Sequence, residues 1–179
     1  MTVFVAGVHG VGKSYLCKKY ASASLVVHES ASGLIRKERS KENWSADKKV
    51  AEIDDNQAAL NAAVRRILSD EKFLLLDGHF VLVNDNSEFV ALDYSVFQGL
   101  AISGVVLIEA NASIVASRMS KRDSLKRSID IDLFLKAERE QAERVCKELC
   151  VPLHVLRQPD LEVFSRVVAG LFEVESNRQ

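Results

Sequence analysis
The sequence predicts an α/β fold in three layers, a mostly five-stranded parallel sheet with helices on both faces. Short β-rich apolar runs alternate along the 179 residues with longer segments of helical period, the pattern of repeated βα units. Parallel strands covered on both faces read as continuous apolar runs, and five are present. A glycine-rich loop joins the first run directly to the first helical segment, as in a nucleotide-binding βα unit.

The first run is Val3 to Ala6, and Lys13 to Ala21 reads as the first helix. Leu25 to His28 is the second strand. Ala46 to Ser69 forms a long helix, because Val50, Ile53, Ala59, Leu60, Ala63, Val64, Ile67 and Leu68 make one apolar stripe. Phe73 to Asp77 is the third strand, and a polar turn at Asn84 to Asn86 with Ser87 precedes the segment Leu92 to Ala101. Val105 to Glu109 is the fourth strand. Asn111 caps a helix through Arg118, and Asp130 opens another that runs to about Leu149. Pro152 separates that helix from the fifth strand, Leu153 to Leu156. Asp160 caps the last helix, which ends near Val174 before a frayed tail, Glu175 to Gln179.

Composition narrows the function. A chain of 179 residues can bury about two thirds of its unfolded surface in one core without disulfide help. The net charge of -1 provides no general field for collecting polyanions, so nucleic acid is not a favoured partner. Cys17, Cys146 and Cys150 form no CxxC pair and are odd in number, which fits a reducing cytoplasm better than a disulfide framework. No secretory leader pattern opens the sequence, and no apolar stretch reaches the length of a membrane span. The expectation is a cytoplasmic protein without a membrane partner.

Gly7-Val8-His9-Gly10-Val11-Gly12-Lys13-Ser14 is a full GxxxxGK[ST] phosphate loop between strand and helix. Backbone N–H groups turned inward at a helix N-terminus bind anions, and glycine tolerates the dihedrals this needs. The loop therefore predicts ATP with Mg²⁺. Lys13 reaches the β and γ phosphates and Ser14 ligates the metal. Gly7, His9, Gly10, Val11, Gly12 and Tyr15 complete the donor site, His9 as a solvent-facing loop residue and not a catalytic one.

FLLLDGH puts Asp77 at the carboxyl end of a buried strand, where open α/β sheets collect ligands and a second carboxylate can hold Mg²⁺. The competing role is a turn cap before Gly78. His79 is either a substrate contact or a hydrogen-bonded loop histidine. The basic segment SRMSKRDSLKR, Ser117 to Arg127, is read as a lid over residues 118–129 and not as a solvated face, with Arg118, Arg122 and Arg127 as candidates for the transferring phosphoryl. In LIRKERSK, Arg36 is the candidate for a phosphate-bearing acceptor, with Lys37, Arg39 and Lys41 as alternatives.

On these motifs the chain resembles the P-loop nucleoside monophosphate kinases, especially the small adenylate-kinase-like family of archaeal and eukaryotic nuclear enzymes. VFVAGVHGVGKS resembles that family's opening, Asp77-Gly78-His79 its D-x-H segment, and VVLIEANASIVASRMSKRD its fourth strand, helix and lid entry. The resemblance implies a three-layer P-loop NTPase fold over residues 1–179, with 28–70 as acceptor-binding helices. It implies that Lys13, Ser14 and Asp77 serve ATP·Mg, Arg118 and Arg122 the transferred group, and Ser30 to Arg36 the nucleoside monophosphate. No insertion carries four metal-binding cysteines, so the short-lid form is implied.

The functional expectation is ATP·Mg-dependent phosphoryl transfer to a small phosphate-bearing or hydroxyl acceptor, by positioning and electrostatics. A hydroxyl acceptor would call for a base such as Asp77 or His79. Two further classes stay open. One is an ATP-hydrolysing switch that docks a partner through Leu161 to Glu175. The other is a polynucleotide or nucleoside kinase, for which the support is a single aromatic, Trp44, beside Lys41, Lys48 and Lys49.

Overall fold
A computed structural model describes residues 1–41, 52–70, 73–84, 86–122 and 129–176. Five parallel strands form the central sheet: β1 (Thr2–Ala6), β2 (Val27–Ser30), β3 (Leu74–Asp77), then β6 (Ile102–Glu109) and β7 (Leu153–Arg157). A separate antiparallel pair, β4 (Val81–Val83) and β5 (Phe89–Ala91), lies between β3 and β6 in sequence. The helices are α1 (Lys13–Ser22), α2 (Ala31–Lys41), α3 (Glu52–Asp70), α4 (Ser95–Gln98), α5 (Ala112–Arg122), α6 (Ile131–Leu149) and α7 (Leu161–Ser176). The predicted five-stranded parallel α/β class is the one observed.

The strand order β2-β3-β1-β6-β7 puts β1 at the centre, with the chain leaving it toward one edge and later returning on the other side. The crevice beyond the carboxyl ends of β1, β3 and β6 is therefore the switch point at which open sheets bind ligands. Alternate residues of β1 feed two cores. Val3 and Val5 pack with Cys17 of α1 and with Phe164 and Val168 of α7. Phe4 and Ala6 pack on the other side with Leu34 of α2 and Leu60, Ala63 and Val64 of α3. Every residue of β1 and β3 is buried, which is why both runs are apolar almost throughout.

Several boundaries shift from the sequence reading. Leu25 is 96% exposed and outside the sheet. The second strand starts at Val27 and pairs through Ser30↔Asp77. As an edge strand it gains backbone hydrogen bonds from β3 alone and tolerates the polar His28, Glu29 and Ser30. The turn at Asn84 is real, with its Oδ1 accepting from the Asn86 and Glu88 N–H groups, but it closes a hairpin that the sequence reading lacks. Within Leu92 to Ala101 only Ser95–Gln98 is helical.

The stripe of the long helix is borne out at Ala59, Leu60, Ala63 and Val64, all buried. Positions 46–51 of that predicted helix, with Lys48, Lys49 and Val50, lie outside the described residues, as does Trp44. Asp130 caps α6 by accepting from Leu133 N–H at 3.0 Å, and Asp160 caps α7 by accepting from Val163 N–H at 2.8 Å. Asn111 does precede α5, but its side-chain oxygen accepts from Arg157 at 3.2 Å, and α5 continues past Arg118 to Arg122. Cys150, left-handed at φ 54°, ends α6 two residues before Pro152. Among the described residues, no helix is long and apolar enough to cross a membrane.

Candidate functional site
The loop after β1 turns through three left-handed glycines, Gly7 (φ 139°), Gly10 (φ 89°) and Gly12 (φ 107°). A side chain at Gly7 would strike the Ile108 carbonyl oxygen of β6, so a residue without Cβ is required where loop and sheet touch. Gly12 occupies the N-cap position of α1, leaving the first N–H groups of the helix directed at the loop cavity. Val11 is buried in the core beneath the loop and, like Gly7, lines neither cavity at this end of the sheet.

Lys13 is buried, and its ammonium donates to the Gly7 carbonyl and to the Val8 carbonyl at 3.2 Å. It also stands 3.2 Å from His79 Nε2. An ammonium only donates, so this nitrogen of His79 is the acceptor and the ring proton sits on Nδ1. Burial first, then Lys13 and His9, hold the His79 imidazole well below its ordinary value, so it is neutral at neutral pH. His9 packs against it with ring centroids 4.1 Å apart.

Asp77 ends β3 beside the loop and is itself buried. Its Oδ2 accepts from His28 Nε2 at 2.8 Å. The following Gly78 is pinned by its N–H to the Val5 carbonyl at 3.0 Å, and a Cβ there would lie 2.7 Å from the Phe4 ring. Asp77 is thus the last residue of a strand and not the cap of a free turn. Arg118, exposed on α5, donates Nη1 to the Gly10 carbonyl at 2.9 Å and so lies over the loop.

Among the described residues, two cavities open at this end of the sheet. One, about 670 Å³, is lined by Gly10, Gly12, Lys13, Ser14, Tyr15, Ser30 and Arg118. Tyr15, 64% exposed, stands at its edge. The second, about 300 Å³, lies under α2, α3 and α4 and is walled by Phe4, Ile35, Leu60, Leu82, Leu92, Val96, Phe97 and Leu100, with Asn56 and Gln57 as polar points. His9, Ser32, Asp77 and His79 line both cavities, so these four mark the place where the two meet.

Arg36 is exposed on α2 and lines neither cavity. Of the alternatives, Lys37 pairs with Glu29 at 2.6 Å, while Arg39 donates to Asn56 Oδ1 at 3.0 Å and so reaches the wall of the second cavity. The side chains of Lys41, Lys121 and Arg122, and all of Lys126 and Arg127, lie outside the described residues.

The sequence reading missed Glu138 of α6, 1% exposed, which accepts from Gly7 N–H at 3.0 Å, Phe80 N–H at 3.0 Å and Val81 N–H at 2.7 Å. One carboxylate thereby ties the phosphate loop to the segment after His79. Burial pushes the Glu138 carboxyl above its ordinary value, opposed by these N–H groups and Lys13. His28 was missed as well. Its only signal was a polar residue at the end of the predicted second strand, Leu25 to His28.

A model of the family described as AAA domain matches residues 6–133, well over half of the chain. The chain belongs to the AAA domain family. The matched segment holds the loop, Asp77, His79 and Arg118, and ends before Glu138. This AAA domain protein also aligns over 98% of its length with 94% of a gluconokinase from Sinorhizobium meliloti 1021, at 19% identity and a TM-score of 0.54. An uncharacterized protein from Eubacterium ventriosum ATCC 27560 aligns with 97% of this chain over 98% of its own, at 11% identity and a TM-score of 0.50. At such identities the likeness is one of fold, that of the P-loop kinase-like NTPases. No curated protein matches the chain.

Proposed function
We propose that this protein transfers the γ-phosphoryl group of ATP to a nucleoside monophosphate, as adenylate-kinase-like enzymes do. The observation that carries the reading is the meeting of two cavities at His9, Ser32, Asp77 and His79, one built on the phosphate loop and one walled by apolar side chains. A hydrolysing switch needs only the first. A transferase needs a donor and an acceptor in line, with water kept out between them.

Within this reading the loop N–H groups, Lys13 and Arg118 bind and orient the triphosphate, whose charged oxygens are stronger acceptors for Lys13 than the loop carbonyls. The Ser14 hydroxyl and Asp77 carboxylate are oxygen donors suited to hold Mg²⁺, which when bound neutralises developing charge on the phosphates. Tyr15 borders the donor side. Arg122 and Arg127 are assigned to a closing lid over 118–129 on the sequence alone. His79 is neutral and accepts from Lys13, which suits a positioning role, and a phosphate acceptor needs no base.

The acceptor cavity favours a planar ring over a polyol. The Sinorhizobium neighbour is a gluconokinase, but a polyhydroxylated acid would leave its hydroxyls unpaired against Phe4, Leu60, Leu92 and Phe97. Two amides supply what a base edge reads. Gln57 spends its N–H groups on the Val96 carbonyl and Asn61, leaving its oxygen to accept. Asn56 accepts from Arg39, leaving its amide N–H groups to donate.

Leu82→Glu and Asn56→Leu test this reading. Leu82 is exposed and Asn56 half-buried, so neither change dismantles the core. Each is expected to raise the acceptor KM at least about tenfold with the ATP Kd unchanged. Equal losses on both substrates, or no effect on either, would contradict the assignment of this cavity to the acceptor.

A further inference from the structure
Beside the phosphate loop, three side chains of different chemistry converge from three elements. Cys17 stands one turn after Ser14 on α1, His28 lies on β2, and Asp77 ends β3. One ligand atom from each lies within 4.8 Å of the other two, and Cys17 and Asp77 are buried. We propose that Cys17, His28 and Asp77 form a binding site for one divalent cation of the zinc class.

The ligand set selects the metal. A thiolate with an imidazole and a carboxylate suits zinc or cobalt, whereas Mg²⁺ takes oxygen donors in near-ideal octahedral geometry. Tetrahedral zinc bonds place neighbouring ligand atoms about 3.3–3.8 Å apart. The triad reaches that by opening the 2.8 Å contact of His28 with Asp77 slightly and drawing the sulfur in. Asp77 lines both cavities, which gives the ion a way in and a water a fourth position. Binding releases the Cys17 thiol proton, while the ligating nitrogen of His28 presents its lone pair with the ring proton on the other nitrogen. Burial, and then the charge of Asp77, push the Cys17 thiol up, against the pull of Lys13.

The site itself stands on the triad. Its consequence rests on the proposed function: Asp77 serves one ion at a time, so a zinc-class ion withdraws it from the donor Mg²⁺ and inhibits transfer.

The test is cobalt titration of the full chain without nucleotide. A near-ultraviolet thiolate-to-cobalt band is expected, displaced by Zn²⁺, abolished in Cys17→Ser, and retained when Cys146 and Cys150 are both changed to Ser. His28→Ala, at a half-buried position, is expected to weaken binding at least about tenfold. It reads the same site should Cys17→Ser fail to fold. No band, or a band that follows Cys146 and Cys150, would overturn the site. Zinc inhibition is then compared in wild type and Cys17→Ser, where at least about a tenfold loss of sensitivity is expected with basal turnover kept. Equal sensitivity in the two overturns the inhibitory consequence. A wild type that never transfers phosphoryl sinks the kinase reading and leaves the cobalt result intact.

Discussion

At the scale of single residues, the site is built on groups held in unusual surroundings. His79 is the clearest. Its folded-state value lies well below the ordinary 6.5, so its contribution to stability is fully present above pH 6.5 and is lost as pH falls toward the folded value. Glu138 has the opposite sign, because a raised carboxyl costs stability as pH rises through it. The two are separated by comparing His79→Asn with wild type in urea at pH 7.5 and 5.5. The variant is expected to lose less stability on acidification, and a parallel loss would contradict a neutral, buried His79. Glu138→Gln keeps the size but turns an amide toward N–H donors, so a loss of about 2–3 kcal/mol is expected by denaturant titration. The positions of Lys13 and Ser14 beside the loop were legible because a phosphate loop has fixed local spacing, and that of Asp77 because it ends an apolar run. Glu138 was not, since it stands among the charged residues of KAERE and meets Gly7 only across 131 positions of chain.

At the scale of elements, the loop's glycines divide into two kinds. Gly7 is both left-handed and pressed on the Ile108 carbonyl, whereas Gly12 is left-handed with only the Arg118 guanidinium nearby, 3.7 Å from where a Cβ would stand. Gly7→Ala is therefore expected to cost on the order of 3 kcal/mol or more, and Gly12→Ala about 1–2 kcal/mol. Gly12→Ala should fold and still bind phosphates less well, as seen by calorimetry with ATP. Equal stability losses in the two would remove the argument for close packing at Gly7. The buried strands were readable as apolar runs because both of their faces are covered. The hairpin β4–β5 was not, as strands of three residues carry no period, and β2 slid by two residues because backbone pairing with β3 outweighs the exposed Leu25.

At the scale of the whole molecule, ligand binding and stability are linked. ATP at a hundredfold above its Kd is expected to add about 2.7 kcal/mol, which for a chain of this length raises Tm by roughly 5–10 °C. Lys13→Ala should abolish most of that shift, and an equal shift in the variant would place ATP elsewhere. The overall class was legible because alternating βα units imply a parallel sheet covered on both faces, while the strand order β2-β3-β1-β6-β7 came only with the structure. The cavity proposed for the acceptor was not, since its walls come from β1, α2, α3, α4, β4 and the segments after β3 and β5, and no local pattern announces that they meet.

The most direct test of the central claim is product formation from ATP·Mg²⁺ with a panel of nucleoside monophosphates, nucleosides and gluconate, with Lys13→Ala as the blank. The account predicts conversion of at least one nucleoside monophosphate to its diphosphate, at least about a hundredfold faster than the blank. Slow hydrolysis of ATP with no transfer to any member of the panel, or transfer to gluconate alone, would contradict it.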